Sequence, residues 1–137
     1  MNVNKVYVER LILDIERSIE AILSYSSKPY EALSDAERYA VRYNIVVVAE
    51  AVIALALHAA RRSYGEEPEM PVQALSILRD KGLITSTDYD DLVRLYRLRN
   101  LLVHRYWMVD DERIYRSVKS DFRSVRSFAE RLREACR

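Results

Sequence analysis

Two glycines and three prolines are all that interrupt 137 residues. Turns and helix ends draw on these residue types, glycine for left-handed backbone and proline for its fixed φ and missing donor. A β-sandwich or barrel would need many more of them, so the chain is restricted to a few long helices with few connections. Half the residues are apolar and 31% are charged, the balance of an ordinary globular protein. One domain over residues 1–137, large enough for one continuous core, is the expected organisation.

The apolar spacing places the helices. Ile12, Ile15, Ile19 and Ile22 form one stripe of a first helix from about Asn4 to Ser24, ended by Ser26-Ser27-Lys28-Pro29. Ser34-Asp35-Ala36-Glu37 is a capping-box pattern, in which Ser and Glu satisfy opposing backbone donors. It opens a second helix that reads to about Ser63 and is apolar on nearly every side, as in the middle of a bundle or a subunit contact. Gly65, Pro68 and Pro71 mark a connection, and a short helix over Val72 to Lys81 is closed by Gly82. Thr85-Ser86-Thr87-Asp88 caps a further helix carrying Leu92, Leu95, Leu98 and Leu102. Asp110, Asp111 and Glu112 suit a helix start. Ile114, Val118, Phe122, Val125, Ala129, Leu132 and Cys136 then make an almost heptad-regular seam, predicting one continuous last helix. The predicted fold is all-α: an antiparallel bundle of four long helices plus one short helix.

Several function classes are disfavoured. The net charge is +1, so no global field favours nucleic acid. Locally the balance differs: Leu92 to Val109 holds Arg94, Arg97, Arg99 and Arg105 with no acidic residue. Such a patch suits phosphate, although arginine-rich helix faces are commonly just solvated. A lone cysteine, Cys136, excludes an intramolecular disulfide framework and points to a reducing, cytoplasmic setting. Glu9, Asp14 and Glu16 argue against a signal peptide. The apolar run Ile45 to Ala60, broken by Glu50 and His58, reads as too short and too polar for a membrane span. The two histidines, His58 and His104, lie 46 residues apart, with no ligand spacing for a metal and no glycine-rich phosphate loop. No metal and no cofactor are expected. Asp90-Asp91 and Asp110-Asp111 read as solvated or helix-start residues rather than a catalytic pair.

Against this background Arg99-Asn100-Leu101-Leu102-Val103-His104-Arg105-Tyr106-Trp107 stands out. An arginine and a histidine together supply a cation for a phosphoryl group and an imidazole for proton transfer. On a straight helix, five residues turn through about 500°, leaving the two side chains roughly 140° apart and about 7.5 Å along the axis. A joint site therefore needs a helix that ends or distorts near His104, or a second subunit. Asn100 and His104, four apart, do share a face, so Asn100 suits a polar task such as orienting His104. Each residue also has a plainer reading. His104 suits a helix C-terminus, Arg99 a surface ion pair, and Tyr106 and Trp107 packing anchors. Glu50, alone in an apolar helix, is either ion-paired or close to the cleft. His58 reads as a satisfied or partly exposed histidine.

The string Arg99 to Trp107, with Val109-Asp110-Asp111-Glu112-Arg113-Ile114-Tyr115 and the helix pattern over almost the whole length, resembles the HEPN ribonuclease superfamily in its HepT-like branch. The resemblance implies a small helical bundle that forms a homodimer with both Arg-x-x-x-x-His motifs at the interface, and metal-independent cleavage of RNA. Carried over, Arg99 would neutralise the scissile phosphate, His104 would be general acid or base, and Asn100 would orient the site. Arg97 and Arg105 are further candidates for RNA phosphate. Attack by the ribose 2′-OH would leave a 2′,3′-cyclic phosphate and a 5′-OH. Tyr106 matches the tyrosine to which, in that branch, a cognate minimal nucleotidyltransferase antitoxin transfers AMP. Bulk and negative charge beside Arg99 and His104 would then block RNA. The implied activity is that of a ribonuclease toxin of a toxin–antitoxin pair. The alternatives are a non-catalytic helical subunit that binds substrate for a nucleotidyltransferase, and a purely structural dimerisation domain.

Overall fold

The computed structural model describes residues 3–118 and 122–136. Among them are six α-helices: α1 (Lys5–Ser26), α2 (Asp35–Tyr64), α3 (Pro71–Asp80), α4 (Ser86–His104), α5 (Asp111–Val118) and α6 (Arg123–Ala135). Single 3-10 turns lie at Tyr30–Ala32 and Tyr106–Met108. The all-α bundle predicted from the apolar spacing is what forms.

Local chemistry fixes most helix ends. Asn4 Oδ1 accepts from the Tyr7 N–H at 3.1 Å and starts α1. α1 runs past its predicted end because the Ser26 and Ser27 hydroxyls donate to carbonyls three residues back, at 3.2 and 2.7 Å. Serine thus continues the last turn, and Pro29 closes the segment. Both capping boxes form. Ser34 and Glu37 exchange bonds at 3.0 and 3.1 Å, and Thr85 and Asp88 do so at 3.4 and 3.0 Å. α2 and α3 end at glycines with positive φ, 64° at Gly65 and 81° at Gly82. An added Cβ would be strained there, which explains where the two glycines are placed.

α2 is the centre of the bundle. Its buried residues, Val41 through Ala60, face α1, α3 and α4 in turn, so it carries apolar residues on nearly every side. At 30 residues α2 is long and apolar enough to cross a membrane by length and composition, which corrects the expectation that this stretch is too short. In the bundle its apolar surface packs against the neighbouring helices, which gives the run its physical reason. α1 lies along it through Val8, Ile12, Ile15, Ile19 and Ile22. α6 buries Val125, Phe128, Ala129 and Leu132 and packs on α4 and α1. Arg133 ties α6 to α1 through Glu9 and Glu16 at 2.8 and 2.6 Å.

The last helix departs from expectation. α5 ends at Val118, and Phe122 caps α6 with non-helical φ −100° and ψ 9°. Residues 119–121, across which the seam was expected to continue, lie outside the described residues. The two pieces have different neighbours. α5 packs on α1, where the buried Tyr115 hydroxyl donates to Ser26 O at 2.9 Å, whereas α6 packs on α4 and α1. A seam of regular spacing records apolar periodicity, which two helices in near register produce as readily as one.

Candidate active site

α4 carries the motif, and its end shapes the site. The last helical bond runs from Arg105 N to Leu101 O at 2.8 Å. Arg105 then leaves the helical region, at φ −141° and ψ 46°, so His104 is the last residue of α4. The 3-10 turn over Tyr106–Met108 leads toward α5. The helix ends directly after His104, so Arg99 and His104 both lie within its last turns.

An open groove of about 610 Å³ follows this end of α4, lined by Tyr96, Arg97, Arg99, Asn100, Leu101, His104 and Arg105. Arg97, Arg99, Asn100, His104 and Arg105, all singled out from sequence, therefore meet on one surface. Tyr106 is not in the lining. It sits on the adjoining turn, 61% exposed, with its ring edge-on to Trp107 at a centroid distance of 5.4 Å. Neither ring is a packing anchor, since Trp107 and Met108 are also exposed. Three exposed apolar side chains in a row are unusual for a free surface and suit one that meets a partner.

The Arg99 guanidinium is held from two directions. Nε donates to Glu50 Oε1 of α2 in an ion pair, and Nη1 donates to Asn100 Oδ1 at 2.7 Å. Among the described residues no acceptor meets the remaining N–H donors of the fork, which suits them to an anion. Asn100 thus orients Arg99; its hydrogen bond does not go to His104. The two readings of Glu50 coincide, because it is ion-paired and its partner is the groove arginine itself. His58 is engaged elsewhere. Its Nε2 accepts from Asn4 N at 3.1 Å, its ring packs on Tyr7, and burial followed by the Arg62 charge pulls its pKa below the ordinary value. Among the described residues no group of three or more His, Cys, Asp or Glu side chains is arranged to hold a metal ion.

One residue at the edge of this site was missed from sequence. Arg42 of α2 reaches the turn beyond His104: Nη1 donates to Tyr106 O at 2.8 Å, Nη2 to Val109 O at 3.3 Å, and Nε pairs with Asp111. The available signal was a charged residue next to buried Val41, an intrusion into the apolar helix like that of Glu50.

The model of the ribonuclease HepT-like family matches residues 12–132. The chain belongs to the HepT-like ribonuclease family. Its fold agrees with solved structures of 19–22% identity. One is a tri-AMPylated HEPN toxin of Shewanella oneidensis in complex with MNT antitoxin, at 22% identity and TM-score 0.85, covering 93% of this chain and 97% of that one. Another is the toxin–antitoxin MntA-HpeT in a tyrosine-to-alanine mutant form, at 21% identity and TM-score 0.83, covering 93% and 98%. A third is YutE, a cytosolic protein of unknown function from Bacillus subtilis, at 19% identity and TM-score 0.82, covering 98% and 91%. No curated protein matches the sequence. At these identities the structural likeness establishes the HepT-like fold, and the family match carries the ribonuclease assignment.

Proposed function

We propose that this HepT-like chain is a metal-independent endoribonuclease toxin, active in the cytoplasm as a homodimer and silenced by AMP transfer to Tyr106. The observation that carries the reading is the groove that Arg99, held by Glu50 and Asn100, lines together with His104. Arg99 binds the scissile phosphate, and Arg97 and Arg105 take flanking phosphates. The ribose 2′-OH attacks phosphorus and loses its proton to a base. The P–O5′ bond breaks, and the leaving oxygen takes a proton from an acid. The products are a 2′,3′-cyclic phosphate and a 5′-OH. One imidazole serves one of these transfers, so two copies of His104 across a dimer cleft supply both roles.

The solved toxin complexes support the second half of the reading. One is tri-AMPylated and bound to MNT antitoxin, and in this chain Tyr106 is an exposed phenol on the turn next to the groove. A minimal nucleotidyltransferase antitoxin would add one or more AMP groups there. Phosphate charge at that position competes with RNA for Arg99. The test is incubation of the unmodified chain with mixed RNA in EDTA, beside His104→Ala, with product ends identified by mass spectrometry. Cyclic-phosphate ends from the wild type alone support the reading. No cleavage by folded, unmodified dimer moves the assignment to a non-catalytic subunit that binds substrate for a nucleotidyltransferase.

A further inference from the structure

The contacts of Arg42 assign this residue a task that neither the motif nor the family match describes. The guanidinium lies on α2, and its three nitrogens bond to three different acceptors beyond the end of α4. Two of these are Tyr106 O, the first carbonyl of the turn that carries Tyr106, and the carbonyl of Val109, which caps that turn; the third, Asp111, opens α5. The turn's own bonds are sparse: Met108 N to Arg105 O at 2.9 Å and Val109 N to Tyr106 O at 3.3 Å. Its side chains Tyr106, Trp107 and Met108 point to solvent and contribute little packing. A short turn without buried side chains opens easily, so the rigid external donor largely decides its shape.

Arg42 also stands eight residues before Glu50 on the same helix, about 12 Å along its axis. α2 therefore holds Arg99 through Glu50 and the Tyr106 turn through Arg42, which puts the groove and the tyrosine in fixed register.

We infer that Arg42 is a positioning residue for nucleotidyl transfer: by clamping both ends of the Tyr106–Val109 turn to α2, it presents the Tyr106 hydroxyl outward in one geometry. This rests on Tyr106 being the acceptor. In the transfer the Tyr106 oxygen attacks the α-phosphorus of ATP. The new O–P bond forms as the bond to the β-phosphate oxygen breaks. The phenolic proton passes to a base of the transferase or to water, and pyrophosphate leaves. Arg42 touches none of the reacting atoms. Its contribution is the pre-set geometry of the acceptor, a factor to which transfer rates are steeply sensitive.

The test uses the full chain with its cognate nucleotidyltransferase and α-labelled ATP, with the label located by mass spectrometry and Tyr106→Phe as control. Arg42→Lys keeps a cation for Asp111 but cannot span both carbonyls. Labelling of Tyr106 in Arg42→Lys is expected to fall about tenfold or more in kcat/KM for the acceptor chain, with KM for ATP and RNA cleavage within about twofold of wild type. Guanidinium ion added to Arg42→Ala restores part of the labelling. Should Arg42→Ala fail to fold, Asp111→Asn, which loosens the same clamp, gives a smaller loss in the same direction. Wild-type labelling in folded Arg42→Lys overturns the role of Arg42 alone. A fall in labelling matched by an equal fall in cleavage and folded fraction also overturns it, since that marks a merely structural arginine. A wild-type chain that takes no label at Tyr106 overturns the acceptor reading and the clamp together, and leaves the ribonuclease reading standing.

Discussion

Two arginine–carboxylate pairs are anchored on α2, and they are built in opposite ways. Arg42 and Asp111 are 16% and 25% exposed, and every nitrogen of the guanidinium has a protein acceptor. Arg99 and Glu50 are 24% and 50% exposed, and among the described residues only two of the three guanidinium nitrogens have an acceptor. The first pair is closed: each of its three nitrogens donates in joining α2 to the turn and to α5. The second is open: its carboxylate and Asn100 aim the cation without saturating it. Sequence chemistry alone makes the two arginines equivalent, and the number of acceptors around each separates a fastener from a ligand-binding group.

The comparison breaks most visibly on the open side. His104→Ala should lower RNA cleavage by about a hundredfold to ten-thousandfold, and Arg99→Ala by about a hundredfold or more. Unfolding free energy should move by about 1 kcal/mol or less in Arg99→Ala, because Glu50 is left half-exposed and solvated. Urea unfolding and single-turnover cleavage on the same samples check the pair. A large loss of stability in Arg99→Ala would make Arg99 a fastener too.

The closed side predicts the reverse. Arg42→Ala removes three hydrogen bonds, to half-buried Asp111 and Val109 and to exposed Tyr106, and should cost about 1–2 kcal/mol of unfolding free energy. An unchanged urea midpoint would show that water replaces the clamp without loss.

Glu50→Gln sharpens the open pair. Losing the carboxylate charge frees Arg99 for phosphate but relaxes its aim, so a non-cleavable RNA should bind more tightly while kcat falls about threefold to tenfold. Binding isotherms beside turnover separate the two effects. A fall in both would mean that alignment rather than charge compensation is what Glu50 supplies.

The smallest effect belongs to His58, outside both pairs. Burial and Arg62 lower its pKa in the fold from 6.5. Between the folded and unfolded values the unfolded chain binds more protons. The contribution to stability is therefore complete above about 6.5 and lost as pH falls through the folded value. Protonation also removes the acceptor for Asn4 N at the start of α1. The unfolding midpoint of wild type should decline between pH 7.5 and 5.5 more steeply than that of His58→Gln, and parallel curves would remove His58 from the account.

The helix starts were legible in the sequence because capping acts within about four residues. Ser34 with Glu37, Thr85 with Asp88 and Pro71 are written as they form. The isoleucine stripe of α1 and the all-round apolar character of α2 were legible for the same reason, since helical periodicity is local. That Arg97, Arg99, Asn100, His104 and Arg105 line one groove was legible too, because all five lie within nine residues at one helix end. The break between α5 and α6 was not, because periodicity does not record which neighbour a segment packs against.

The partners of the two arginines were decided by tertiary structure. Glu50 lies 49 residues from Arg99, and Asp111 lies 69 from Arg42. No local rule links such positions. They meet because α2, packed through its buried residues, runs past the end of α4. The sequence by itself determined an all-helical chain with a cation and an imidazole at one helix end. Packing determined that one arginine has an acceptor at each of its three nitrogens and the other at only two, because the acceptors around a guanidinium come from whichever elements the core brings beside it.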